Sequence, residues 1–194
     1  MAFKRLAKTL LACTVCASSM LTAANVWAAE YQIDPSHTFI EFQTSHLGFS
    51  LLNGRFNTFS GSFQWDENNP EASSLTITIQ TDSVDSNWAE RDKHLRGEEF
   101  LNVEEYPKAT FKSTGYTGSA DQGTMQGILT LRGVSKPVTL DVERIGQGDD
   151  PWGGYRAGFK ATTSINRMEF GSPRNLGPAS NMVKLELYLE GIRQ

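Results

Sequence analysis

The chain has 194 residues, with 18 Lys and Arg against 22 Asp and Glu and only two cysteines. That length carries one domain with a proper core. The acidic balance argues against a nucleic-acid partner, which needs a basic patch, and against adhesion to anionic lipid by charge.

Residues 1–28 read as a secretory signal peptide. Lys4, Arg5 and Lys8 form a basic start, Leu10 to Leu21 is apolar or small and uncharged, and Val26-Trp27-Ala28 puts small residues on the near side of a cut before Ala29. The apolar run is shorter than the roughly 20 residues that span a bilayer, so no stable membrane anchor is expected and the destination is the periplasm. Cys13 and Cys16 both fall in this leader, which leaves residues 29–194 without disulfide or thiolate chemistry. The leader also removes three bases and no acid, leaving 15 bases against 22 acids and a net charge of −7.

From Tyr31 the pattern has period two, the signal of half-buried strands. Ile40, Phe42, Thr44 and His46 share one face. Gly48 and Asn53-Gly54 then read as turn chemistry. Phe59, Gly61, Phe63 and Trp65 make a second strand, Leu75, Ile77 and Ile79 a third, with Asn69-Pro70 turning between them.

A helical interlude follows, starting at Trp88 and running to about Glu105, where Tyr106-Pro107 ends it. Its core is Trp88-Ala89-Glu90-Arg91-Asp92-Lys93-His94-Leu95-Arg96. Asp85 or Asn87 is placed to cap it. Trp88 and Leu95 lie seven apart and are expected to seat it as a lid on the end of a closed sheet, while Glu90 and His94 form an i, i+4 pair.

Five more strands complete the chain. Their apolar faces are Ala109, Phe111 and Ser113; Met125, Gly127, Leu129 and Leu131; Val138, Leu140 and Val142; Tyr155, Ala157, Phe159 and Ala161; and Val183, Leu185, Leu187 and Leu189. The count is eight strands, each with one apolar face, in one domain spanning 29–194. A sandwich and a barrel both fit, and a barrel removes the free edges that a monomer must otherwise protect.

Several runs resemble the YceI family: Asp82-Ser83-Val84-Asp85-Ser86, Arg91-Asp92-Lys93-His94-Leu95, Glu99-Phe100-Leu101-Asn102, Tyr106-Pro107, Phe111-Lys112-Ser113, His37 through His46-Leu47-Gly48, and Gly127 through Val138. The resemblance covers essentially all of the chain after the leader. It implies a mainly β, lipocalin-like, eight-stranded antiparallel barrel with a helical segment near residues 87–105. It also implies a periplasmic protein that holds a long-chain polyisoprenoid or an isoprenoid quinone-like lipid.

On that reading the cavity wall is Ile40, Phe42, Phe63, Ile77, Ile79, Phe111, Leu129, Leu131, Ala157, Phe159 and Leu187, and His46, Arg91, His94 and Trp152 stand at the rim. Small inward residues, Gly61, Ala109, Gly127, Ala157 and Ala161, either leave room for a ligand or ease curvature. Two long loops, Gly146–Gly154 carrying Trp152 and Asn175–Asn181, are candidate gates. Arg91 and Asp92 either pin the helix by charge-assisted bonds or, for Arg91 with His94, meet a polar ligand head.

The three histidines lack metal-site spacing, so no metal or other cofactor is expected. No nucleophile elbow, zinc-protease motif or phosphate-cradling loop occurs. The expectation is a carrier and not an enzyme. An enzyme acting on a lipid in the same cavity is the alternative, and a filled barrel working through its loops is a third reading. Whether two copies pair as a homodimer stays open.

Overall fold

The computed structural model describes residues 28–194. The signal-peptide reading and both cysteines lie outside them.

Alternation of apolar and polar residues puts successive side chains on opposite faces of a strand. The strands are β1 (Ala29–Ile33), β2 (Phe39–His46), β3 (Ser50–Phe56), β4 (Phe59–Trp65), β5 (Ser74–Gln80) and β6 (Val84–Asp85). Helix α1 (Ala89–Arg96) follows, then β7 (Lys108–Gly118), β8 (Gln122–Leu131), β9 (Val134–Asp149), β10 (Tyr155–Asn166), the single turn α2 (Pro178–Asn181) and β11 (Met182–Arg193).

Antiparallel pairing closes a ring in the order β1-β4-β5-β7-β8-β9-β10-β11, with β11 returning to β1. β11 is shared. Its residues Val183–Tyr188 pair with β2 and Gly191–Arg193 pair with β1. β1 and β2 are thus two halves of one bent wall strand. β3 and β4, broken at Asn57-Thr58, are two halves of the next. The product is the closed eight-stranded antiparallel barrel that the pattern and the resemblance implied.

Three expectations need correction. Ser50–Phe56 is a strand, and Asn53-Gly54 sits inside it and not in a turn. The chain reverses earlier, at Leu47 and Gly48, whose φ values are 52° and 84°. Gly54 lies opposite Phe42, whose ring covers it; a Cβ there would come within 2.3 Å of that ring. The helix ends at Arg96, not near Glu105, and Gly97 N–H closes it onto His94 O. Asn102, at φ 50°, then turns the chain, its carbonyl accepting from Glu105 N–H at 3.2 Å and Tyr106 N–H at 2.8 Å. Neither Asp85 nor Asn87 caps the helix: Trp88 holds the N-cap position, and Asp85 accepts from Asn87 N–H instead.

One end of the barrel is filled. Tyr31 stacks on Phe63 with centroids 4.9 Å apart, and Phe63 and Trp65 meet the edge of Phe159 at 5.5 and 4.9 Å. Trp65 Nε1 donates to Gln147 Oε1 at 2.8 Å, so the indole's polar end is satisfied in the core. Ala157 and Ala161 lie against this cluster, 1% and 2% exposed.

At the same end an ion cluster fastens the bend between β1 and β2. Arg156 Nη1 donates to Asp34 Oδ2 at 2.7 Å and to Glu190 Oε1 at 2.6 Å, and its Nε donates to Asp150 Oδ2 at 2.9 Å. Asp34 also accepts from Ser36 N–H and Oγ and faces His37 Nδ1 at 3.0 Å. Hydrogen bonds from Ser36 and His37, then the Arg156 guanidinium, hold the Asp34 carboxyl far below the usual carboxylate range. Asp34, His37 and Glu190 lie close enough to bracket a cation, but Arg156 already occupies their charge.

A group held below its unfolded pKa stabilises the fold above that value and ceases to do so as it protonates. Wild-type stability should therefore fall as pH drops from the ordinary carboxylate range to about 2. Arg156→Leu should melt well below wild type at pH 7, and the gap should narrow as pH falls through that window. Thermal melts across the range check this, and a gap of constant size would contradict it.

Candidate functional site

The other half of the barrel encloses a cavity. A cavity of about 320 Å³ opens between the aromatic floor and the end that carries α1. Its wall comes from inward positions of nearly every strand: Ile40 and Phe42 of β2, Leu52 and Phe56 of β3, Ile77 and Ile79 of β5, Ala109 and Phe111 of β7, Leu129 and Leu131 of β8, Val138 and Leu140 of β9, and Val183, Leu185 and Leu187 of β11. Such a volume with an apolar lining is in the range of small-molecule sites.

Of the eleven wall residues proposed from periodicity, eight line the cavity: Ile40, Phe42, Ile77, Ile79, Phe111, Leu129, Leu131 and Leu187. Phe63, Ala157 and Phe159 do not. They point inward as expected but belong to the filled end. Period two tells which side a residue faces and says nothing of its depth along the axis. Of the small inward residues Gly61, Ala109, Gly127, Ala157 and Ala161, Ala109 alone lines the cavity. A Cβ on Gly127 would meet the Phe111 ring at 2.3 Å, and one on Gly191 the Phe63 ring at 2.4 Å, so aromatic rings already cover these glycines.

At the mouth, His46, Arg91 and His94 stand among the lining residues. Trp152 does not. It is exposed at the turn between β9 and β10, at the opposite end, where it lies under the Arg156 guanidinium. The segment Gly146–Gly154 is no gate, since β9 runs as a strand to Asp149. The segment Asn175–Asn181 does border the opening, through Leu176 and Ser180.

Sequence reading missed two arginines there. Arg132 and Gly133, at φ 51° and 73°, form the two-residue hairpin between β8 and β9. Arg132 Nη1 donates to Phe100 O at 2.7 Å and Glu98 O at 3.1 Å, while its buried Nε has no hydrogen-bond partner. Arg167 follows β10 and donates to Ser172 Oγ at 2.6 Å and Asn181 Oδ1 at 3.0 Å. Its guanidinium lies over the Phe100 ring, and burial lowers its pKa from the ordinary value. Arg91 donates to Ser86 Oγ at 2.7 Å and to Ser86 O.

Among the described residues, none of the three guanidiniums at the mouth is paired with a carboxylate, and no Asp or Glu lines the cavity. Buried cations are ordinarily paired. The mouth therefore carries guanidiniums with no carboxylate in contact, Glu98, Glu104 and Glu105 sharing an outer pocket with Arg132, and over an apolar bore they suit a head group rich in acceptors.

The lid is fastened by charge, not by Trp88. Trp88 is 64% exposed, whereas Asp92 is buried and accepts from Ser86 N–H at 2.8 Å and Ser86 Oγ at 2.5 Å. Arg96 adds bonds of 2.7 Å to Asp82 O and Val84 O. Leu95 does face the cavity, as expected. Arg91 and Asp92 thus meet on one serine and hold α1 against the segment that contains β6.

Residues 31–191 match the YceI-like domain. The chain belongs to the YceI family. A UPF0312 protein of Pseudomonas aeruginosa is 53% identical over 189 residues, covering 96% of this chain and 99% of the relative. The crystal structure of a Campylobacter jejuni YceI protein superposes with a TM-score of 0.71 at 29% identity, over 77% of this chain and 90% of that one. A polyisoprenoid-binding domain from Saccharophagus degradans, implicated in plant cell wall breakdown, shares the fold with a TM-score of 0.63 at 19% identity, over 86% and 99% of the two chains.

If Asp92 is the fastening of this family member's lid, Asp92→Ala leaves two buried donors of Ser86 without an acceptor. The cost should be about 1–3 kcal/mol in urea unfolding. Trp88→Ala should stay within about 0.5 kcal/mol of wild type. The reverse ranking would restore the apolar seating that the helical spacing suggested.

Proposed function

We propose that the cavity binds one long apolar chain of the polyisoprenoid class, tail inward, with an acceptor-rich head among Arg91, Arg132 and Arg167. The protein would serve as a periplasmic carrier or store after export and cleavage before Ala29. The observation that carries this reading is the pairing of a deep apolar bore with a mouth of unpaired guanidiniums. The polyisoprenoid-binding domain of the same fold supports it. Residues 29–194 begin with β1, so a cut before Ala29 would remove no strand.

Energetics are sufficient. Burial is worth roughly 0.8 kcal/mol per CH₂, and micromolar affinity needs about 8 kcal/mol net. A few isoprene units reach that after ordering costs. Such binding requires no nucleophile or general base, and the three guanidiniums would act by position and charge alone.

Two measurements test the proposal. Protein purified from the periplasm without detergent should yield a polyprenyl lipid on organic extraction and mass spectrometry, and its intact mass should start at Ala29 with no thiol. Ala109→Trp, which puts an indole into the cavity, should lower the co-purified lipid several-fold while largely preserving the melt. Ala157→Trp, in the filled end, should instead overpack the core at a cost of about 1–3 kcal/mol. A lipid-free wild type, or full lipid content in Ala109→Trp, would overturn the reading.

A further inference from the structure

We infer that the β2–β3 hairpin is a docking surface for a phospholipid bilayer, placing the cavity mouth where its ligand enters and leaves. Phe49 is 84% exposed, Leu51 63% and Leu47 52%, all on one hairpin tip. An apolar cluster so exposed on a monomer marks an interaction site more often than chance.

The tip is continuous with the bore. Leu47, half exposed, and Leu52 line the cavity, Phe49 stands at the turn between them, and Leu51, next to Leu52 on β3, faces the outer side of the same tip. A prenyl chain moving between bilayer and cavity along this surface would avoid open water. The tip is also well anchored: Leu47 N–H donates to Ser180 Oγ at 3.1 Å, and Thr44 Oγ1 donates to Met182 O at 2.9 Å.

Charge points the same way. From Phe42 to Gly54 the sequence holds no Asp, Glu, Lys or Arg, and neither does Asn175 to Val183, the segment packed beside it. Met182, 43% exposed, adds to the same face. Residues 29–194 as a whole carry a net −7, which an anionic leaflet repels. The acids are absent from the one apolar tip beside the mouth. Large apolar side chains at an uncharged tip seat in the headgroup–acyl boundary.

This inference rests on the proposed lipid function, and the experiment separates the two. Wild type and the Phe49→Ser, Leu51→Ser double variant are floated with vesicles of phosphatidylethanolamine and phosphatidylglycerol, and each is also extracted for lipid. Neither substituted residue lines the cavity, so lipid content and melting should match wild type. Vesicle partitioning should fall at least about tenfold. Equal partitioning of the two proteins, or no partitioning by wild type, overturns the docking surface. So does a wild-type dimer that the double variant dissolves in sedimentation while vesicles are ignored, since the patch would then belong to a second copy. Vesicle binding that depends on Phe49 and Leu51 in a wild type with no extractable lipid would support docking and remove only the proposed function.

Discussion

Everything in this barrel depends on β11 having two partners. Its first half extends the wall through β2 and β3, and its last residues close the ring through β1. A strand can serve two neighbours on one edge only if those neighbours are segments of a single bent strand. The bend at residues 34–38 makes that possible, and Arg156 holds it by joining Asp34, Glu190 and Asp150. A charged cluster at the closed end thus holds the bend on which ring closure depends. The arrangement joins one guanidinium to three carboxylates, a network of the kind that contributes more than isolated surface pairs.

The two ends solve different packing problems. At the floor, Tyr31, Phe63, Trp65 and Phe159 interlock, and Ala157 and Ala161 leave space that those rings take. Toward the mouth, aliphatic side chains and the rings of Phe42, Phe56 and Phe111 stand around a cavity. The lid over them is a short helix with hardly any apolar face, held by Asp92, Arg91 and Arg96 to the polypeptide around Ser86. Polar fastening leaves the underside of the lid free to present Leu95 and the guanidinium of Arg91 to the cavity.

Much of the fold was legible because strand periodicity is a local property. Val183 to Leu189 alternates cleanly, and each inward residue it names does face inward. Errors arose where a local signal was overruled by a partner distant in sequence. Asn53-Gly54 has hairpin chemistry, but the ring of Phe42 covers Gly54 and keeps it in a strand. Trp88 has the spacing of a buried anchor, yet a buried carboxylate four residues on does the anchoring. Phe63, Ala157 and Phe159 were placed on the right side at the wrong depth. Arg132 and Arg167 had no local signature, since their role comes from which loops the barrel gathers at one end and from the carboxylates they lack. The basic mouth became visible only in three dimensions.

The aromatic floor has a consequence for direction. A bore stopped at one end admits a guest by one route, so whatever enters last must leave first. A linear amphiphile can then fit in a single orientation, with its reactive terminus left outside the stopper and available to another protein. Any guest longer than the bore must coil within it or trail from the opening. The interlocked rings of Tyr31, Phe63 and Phe159 therefore act as a depth gauge, and a homologue with smaller side chains at those positions would be a longer socket built on the same wall.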